Sequence, residues 1–175
     1  MKEYEYRLDH YPSEKIKSRA SYKDGKLHGK RIEYYESGKI CKEGTYDNGH
    51  KDGQWVAYYV DGGVEYKGEY KNGQKQGKWV GYFASGELRY EGRFEDDKSE
   101  GRWVEYYRNG KVKEEINYKN GLFDGKWTYV DENEQLRGEG TFVMGSGKWI
   151  EFDPTGKKTQ ERLYRNGAYI KVVSA

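Results

Sequence analysis

Residues 68 to 91 read G-E-Y-K-N-G-Q-K-Q-G-K-W-V-G-Y-F-A-S-G-E-L-R-Y-E, and the stretches beginning at Gly44 and Gly92 follow this pattern position by position without a gap. Trp55, Trp79, Trp103 and Trp127 therefore stand 24 residues apart, each with a glycine two positions earlier. Outward from this centre the pattern decays. The copy from Ala20 keeps Tyr22, Asp24, Gly25, Gly29, Tyr34, Tyr35 and Gly38 but has Arg31 in the tryptophan column. Before it, Arg7, Leu8, His10 and Tyr11 fall on second-strand columns, and Ile16 opens the first-strand columns of the next unit. The unit from Ile116 keeps Trp127, whereas the one from Gly140 is two residues short, so that Trp149 follows Trp127 by 22. Terminal copies of a stacked repeat face water on one side and lose the consensus first. The chain thus reads as one repeat domain over 1–175: a degenerate cap at 1–19, six repeats over 20–161 and a capping hairpin at 162–175.

Within each unit the period is two. Leu88, Tyr90, Gly92 and Phe94 alternate with the charged Glu87, Arg89, Glu91, Arg93 and Glu95, the pattern of a half-buried antiparallel strand. In the second strand, a valine column (Ile32, Val56, Val80, Val104, Thr128, Ile150) shares a face with Tyr34, Tyr58, Tyr82 and Tyr106, and the tryptophans take the other face. Two turns join the strands. The longer, N-G-x-x-x-G, runs from Asn48 to Gly53, Asn72 to Gly77 and Asn120 to Gly125; the shorter ends in Gly38, Gly62, Gly86, Gly110 and Gly156. Asparagine and glycine accept the positive φ that hairpins need. This spacing predicts strands of about five to seven residues and leaves almost no room for helix. After Asn166-Gly167, the stretch 168–173 reads as a last strand returning from a two-residue turn, which seals the final edge or pairs with another molecule.

The pattern G-x-Y-x-N-G-x-x-x-G-x-W-x-x-Y-x-x-x-G resembles the MORN repeat, and more closely its bacterial variant with tryptophan after the second glycine. The resemblance covers about residues 20 to 167. It implies an all-β fold, an elongated, twisted single antiparallel sheet of successive hairpins, with about twelve or thirteen strands spaced ~4.8 Å apart. It also implies a binding role, since stand-alone bacterial proteins of this repeat look like antitoxin or immunity partners of polymorphic toxins.

Composition sets the physical terms. Only 34% of residues are hydrophobic and 35% are charged, a balance that leans toward disorder, but 17% are aromatic. Cross-strand aromatic pairs contribute ~0.2–1 kcal/mol each, enough to hold a thin sheet. Thirty-two basic and thirty acidic residues give a formal net charge of +2, spread without the basic stripe that nucleic acid or anionic lipid asks for. The local excess of Lys71, Lys75 and Lys78 is flanked by Glu65, Glu69 and Glu87. No apolar run approaches 18 residues, and Met1 to Tyr6 is polar and acidic, unlike a leader. With the lone Cys41, placed on the charged side of its strand, this leads us to expect a cytoplasmic protein.

Catalysis has little to work with. His10 lies near the start and His28 and His50 lie in successive long turns, in different columns, so neither a nucleophile–base pair nor a metal set is visible. No phosphate-loop pattern opens a helix. We expect no catalytic residue, cofactor or metal. The expected partner is a protein, with membrane lipid and edge-strand self-association as alternatives. The candidate contact residues are Arg31, where the tryptophan ladder breaks, and two aromatic rows: Tyr34, Tyr58, Tyr82 and Tyr106, then Tyr35, Tyr59, Phe83 and Tyr107.

Overall fold

The computed structural model of the chain describes residues 4 to 174. Met1 to Glu3, part of the start that was read against a leader, and Ala175 lie outside the described residues. The chain is all-β and antiparallel, with no helix among the described residues. It forms two compact units, Met1–Gly86 and Glu87–Ala175.

The first unit holds seven strands, β1 (Tyr4–His10), β2 (Ile16–Lys23), β3 (Lys26–Tyr34), β4 (Ile40–Asp47), β5 (His50–Tyr58), β6 (Val64–Lys71) and β7 (Gln74–Tyr82). The second holds eight, β8 (Leu88–Glu95), β9 (Lys98–Tyr106), β10 (Val112–Lys119), β11 (Leu122–Val130), β12 (Leu136–Val143), β13 (Ser146–Phe152), β14 (Lys158–Arg165) and β15 (Ala168–Ser174). The described residues therefore make more strands than the twelve or thirteen expected, because β1 and the last hairpin are fully formed. In each unit, consecutive strands pair in sequence order.

Interior strands have eight and nine residues, longer than the five to seven expected. The reason is that N-G-x-x-x-G is not a long loop. Asn48 (φ 47°) and Gly49 (φ 89°) form a two-residue turn closed directly by the pair Asp47–His50, the mirror-type geometry that matches strand twist. Gly53 (φ 83°) lies inside β5, where Thr45 alone faces the chain from Asp52 to Gln54 between the pairs Tyr46–Lys51 and Gly44–Trp55. Two extra residues, an even number, leave the inward–outward alternation in phase. The two-residue deletion before Trp149 removes this bulge and nothing else, for β12 and β13 pair without irregularity from Gly138–Glu151 to Val143–Ser146. His28, expected in a turn, consequently sits within β3, half-buried, its Nδ1 3.1 Å from Asp47 Oδ1, while His50 opens β5.

A second, one-residue bulge recurs at the other end of the hairpins. Lys17, Cys41, Glu65, Lys113, Arg137 and Thr159 are extra residues of this kind. Cys41, expected on the charged side, is turned by its bulge into a hollow shared with Arg31 and Glu33 of the opposite face.

Turns stack on one another. The N–H of Gly49 donates to Leu27 O at 2.7 Å, Gly73 to Lys51 O at 2.8 Å and Gly121 to Ser99 O at 2.9 Å. Acidic side chains of the preceding repeat accept the neighbouring N–H groups: Asp52 from Asn72, Glu100 from Asn120 and Asp124 from Met144. Within each unit these repeats are thereby tied to the next through the backbone, as the burial of polar groups demands.

Candidate protein-binding face

Glycine decides where the tryptophans go. A Cβ built on Gly44, Gly68 or Gly92 would fall 2.3, 2.2 or 2.0 Å from the ring of Trp55, Trp79 or Trp103. Each indole thus lies flat on the bare backbone of the preceding strand, as rings do when they cover a strand glycine. Its Nε1–H donates to a backbone carbonyl, Thr45 O for Trp55 at 3.1 Å and Arg93 O for Trp103 at 3.0 Å. Trp55 and Trp79 are 2% and 3% exposed and are buried on this face with Ala20 and Ala57, while Ile32 and Val80 are buried on the valine face.

Tyrosines pack edge-on against this row in the first unit, Tyr46 at 5.3 Å from Trp55 and Tyr70 at 5.2 Å from Trp79, while Tyr66 stacks on Trp79 at 5.9 Å. Lysines lie over the rings. Lys51 Nζ is 4.4 Å from the centre of Trp55 and 4.7 Å from Tyr70, Lys75 Nζ is 4.8 Å from Trp79, and Lys42 Nζ is 6.0 Å from Tyr66, all within cation–π range. Burial, then the nearby charges of Lys42, Lys75 and Arg31, holds the Lys51 ammonium below the usual lysine range against the pull of Glu33. Like charges gather here.

Arg31 shares this face. It is half-buried in β3, opposite Ala20 and Gly44, with Nε 2.9 Å from Glu33 Oε1. The tyrosine rows lie elsewhere. Tyr34, Tyr58, Tyr82 and Tyr106 end the second strands on the valine face; Tyr58 OH donates to Glu43 at 2.8 Å, Tyr106 OH to Glu91 at 2.9 Å, and Lys67 lies 5.7 Å over Tyr82. Burial first, then the adjacent carboxylate, raises both phenols above the usual range, so they stay donors. Tyr35, Tyr59 and Tyr107 donate to the carbonyls of Tyr58, Tyr82 and Val130, one repeat on, at 2.5, 2.7 and 2.9 Å. Tyr11 does the same to Tyr34 O at 2.5 Å. Phe83, in this column, has no hydroxyl to give. The two tyrosine rows are therefore brought together as a seam between repeats, and Arg31 belongs to the tryptophan row, meeting them only at Tyr34, with which it lines the hollow beside Cys41.

Sequence reasoning missed Lys42, Lys51 and Lys75 as a group. It grouped Lys75 with Lys71 and Lys78 by proximity in sequence, but Lys78 belongs to the valine face. One signal was present: Lys51 and Lys75 each stand four residues before a tryptophan, 24 apart.

Around Trp127 the second unit arranges the tryptophan face differently, although its Trp103 keeps the glycine seat. Ile116 occupies the glycine place beside Trp127, whose Nε1 donates instead to Glu114 Oε1 at 2.7 Å. Its ring packs 4.3 Å from Trp149 and 5.7 Å from Phe142. Burial raises the Glu114 carboxyl above the usual range, although the Trp127 hydrogen bond pulls it down. No group of three or more His, Cys, Asp or Glu among the described residues is placed to hold a metal ion.

The family model described as MORN repeat variant matches six stretches, residues 27–48, 51–72, 75–96, 99–120, 123–144 and 146–166. These windows run from just after one Asn-Gly turn to the next. Comparison with curated proteins gives no match. Among solved structures, a protein of unknown function from Bacteroides fragilis is similar over 99% of this chain and 93% of its own length, at 10% identity and a TM-score of 0.17, too low to bear on the fold.

Proposed function

Because the chain belongs to the MORN repeat variant family, whose repeats are protein- and lipid-binding modules, we propose that it acts by binding another protein and carries no chemistry of its own. The observation that carries this reading is the tryptophan face of the first unit, where rings and lysines lie side by side. The tryptophans are buried, but the half-buried Tyr46, Tyr66 and Tyr70 around them, edged by charge, have the make-up of interface anchors.

The finer reading is that the partner is a toxin domain, held in the cytosol of the producing cell by an array that covers its working surface. Its support is the likeness to stand-alone bacterial arrays. Co-expression with the product of the neighbouring gene tests it. A stable complex that abolishes that product's toxicity supports the reading, whereas a harmless neighbour and no retained partner end it. Tethering of proteins to anionic lipid is the alternative, and sedimentation with vesicles that depends on acidic lipid would favour it.

A further inference from the structure

Arg31 stands where the repeat pattern has an indole, and the residues around it have removed the indole's seat. Ala20 takes the place that Gly44, Gly68 and Gly92 hold in later repeats, and it is only 3% exposed. Since even a bare Cβ at Gly68 would fall 2.2 Å from the Trp79 ring, the Ala20 methyl occupies space that a ring would need. Ser18 stands two periods before Tyr66, the residue that stacks on Trp79. A guanidinium and a hydroxymethyl thus replace two rings, and a hollow of about 440 Å³ opens beside them, lined also by Asp9, Lys17, Glu33 and Cys41.

The acids of this hollow are engaged and its cations are not. Ser18 Oγ donates to Asp9 Oδ2 at 2.7 Å, and Glu33 Oε1 accepts from Arg31 Nε at 2.9 Å while standing opposite Lys42 across the strand pair. Among the described residues, the terminal nitrogens of Arg31 have no hydrogen-bond partner, and the exposed Lys17 has no ion pair, only the Tyr11 ring at 5.9 Å. Arg7, the other arginine of the tryptophan column, gives the contrast. It donates to Glu5 from Nε and from a terminal nitrogen, each at 2.9 Å, and lies 4.3 Å over the Tyr22 ring. One guanidinium is closed by its own strand, and the other keeps its fork in the wall of a hollow.

We propose, resting on the protein-binding reading, that this hollow seats a carboxylate of the partner chain, held by the terminal nitrogens of Arg31 and met by the Lys17 ammonium. Charge and shape select the ligand. A planar, singly charged group matches the guanidinium fork. A phosphate dianion, a nucleic-acid strand or an acidic membrane would bring more negative charge against Asp9 and Glu33, which line the same walls. Arg31 is half-buried, so the pair is screened less than a contact on open surface. A free small acid carries the same group, and the test separates the two sources.

Cys41, the lone cysteine, lines the hollow and reports its occupancy. In the full chain its alkylation by iodoacetamide is followed against four competitors: a capped glycine-glutamate-glycine peptide, the same peptide with glutamine, glutarate, and inorganic phosphate. The glutamate peptide is expected to protect the thiol at millimolar concentration, and the glutamine peptide at least ~tenfold less well. Arg31→Gln should raise the half-protecting concentration roughly tenfold, and Arg31→Lys, which keeps the charge without the fork, about threefold. Lys17→Gln, at an exposed position where the fold is not at stake, should raise it about threefold. Arg7→Gln should change it less than twofold, because that guanidinium is already engaged. Equal protection by the two peptides, stronger protection by phosphate, or equal losses in the Arg31 and Arg7 variants overturns the proposal. Glutarate protecting better than the glutamate peptide keeps the carboxylate site and overturns the partner chain as its source. If the neighbouring gene's product is captured equally by wild type, Arg31→Gln and Lys17→Gln, the site assignment fails and the protein-binding reading stands. If wild type captures no product while the glutamate peptide still protects Cys41, that reading fails and the carboxylate site stands.

Discussion

Trp79 and Trp127 hold the same place in the repeat and do different things. Trp79 lies on Gly68 and gives its N–H to the backbone carbonyls of Glu69 and Gln76. Trp127 faces Ile116, gives its N–H to Glu114 and joins Phe123, Phe142, Trp149 and Tyr164 in a cluster. The first unit's tryptophans consequently lie on glycine among tyrosines with lysines over them, and Trp103 of the second unit still lies on Gly92, whereas around Trp127 rings pack on rings, with Glu105 and Glu114 nearby. What the two share is backbone: the Asn-Gly-type turns, the bulges and the tyrosine seam. The lesson is that in this chain hydrogen bonds keep the register of the repeat, which leaves the faces free to diverge.

The largest expected effect comes from denying Trp79 its glycine. In Gly68→Val the new side chain would occupy the ring's space, since even a Cβ falls 2.2 Å from it. Expulsion of a fully buried indole costs ~3–5 kcal/mol, read as a lower denaturant midpoint and a red-shifted tryptophan emission. At Ile116 a branched residue is already accommodated, so Ile116→Val should cost only ~1 kcal/mol. Equal costs at the two sites would show that the glycine column does not seat the rings.

A smaller effect should be the same in both units. Tyr59→Phe and Tyr107→Phe each leave a backbone carbonyl, Tyr82 O and Val130 O, without its phenol donor, at ~1–1.5 kcal/mol. Unequal losses in chemical unfolding would mean that the seam is not the shared element the comparison requires.

How much of this was legible follows from the same distinction. Alternation and turn residues carry the strands, and the tryptophan and valine columns were assigned to the correct faces from period two alone. The turns were misjudged at N-G-x-x-x-G, because a glycine bulge inside a strand and a glycine in a loop look identical in sequence. The one-residue bulges at Cys41 and Glu65 left no trace, since no residue type is required there. The lysine group was hidden for a topological reason: Lys42, Lys51 and Lys75 lie on three strands and meet only because the repeats stack.

pH should separate the units by sign. The Glu114 carboxyl has its pKa raised in the fold by burial, so the fold holds its proton more tightly than the unfolded chain does. That contribution is complete at pH below the ordinary glutamate value and is lost as pH climbs through the raised one. Lys51 is shifted down, so its burial opposes folding most at neutral pH and ceases to do so as pH rises toward the ordinary lysine value. Glu114→Gln is expected to raise stability at neutral pH and to flatten the decline above the ordinary carboxylate range. A variant no more stable than wild type at pH 7, with the same slope in a pH series of thermal melts, would remove Glu114 from the account of the second unit.

The smallest effect tests whether the short turns are equivalent. Gly38, Gly62, Gly86 and Gly110 take φ of 88°, 103°, 100° and 81°, and Glu134, one period further on, is forced to 62°. The hydrogen bond that closes the turn is unchanged, Glu134 N to Asp131 O at 2.8 Å beside Gly62 N to Tyr59 O at 2.9 Å. The turn therefore imposes the left-handed conformation, and glutamate meets it at a steric cost of ~1 kcal/mol that glycine avoids. Against this, Glu134→Gly gives up an ion pair with Lys111 at 3.0 Å, whose side chains are 63% and 42% exposed and which is worth only a few tenths of a kcal/mol. It also loosens the unfolded chain. The difference leaves a net gain of ~0.5 kcal/mol in the second unit, whereas Gly62→Ala in the first should lose ~1 kcal/mol. Opposite shifts in midpoint are the expected result; a loss in both would mean that the Lys111 pair, and not backbone conformation, decides what stands at that position.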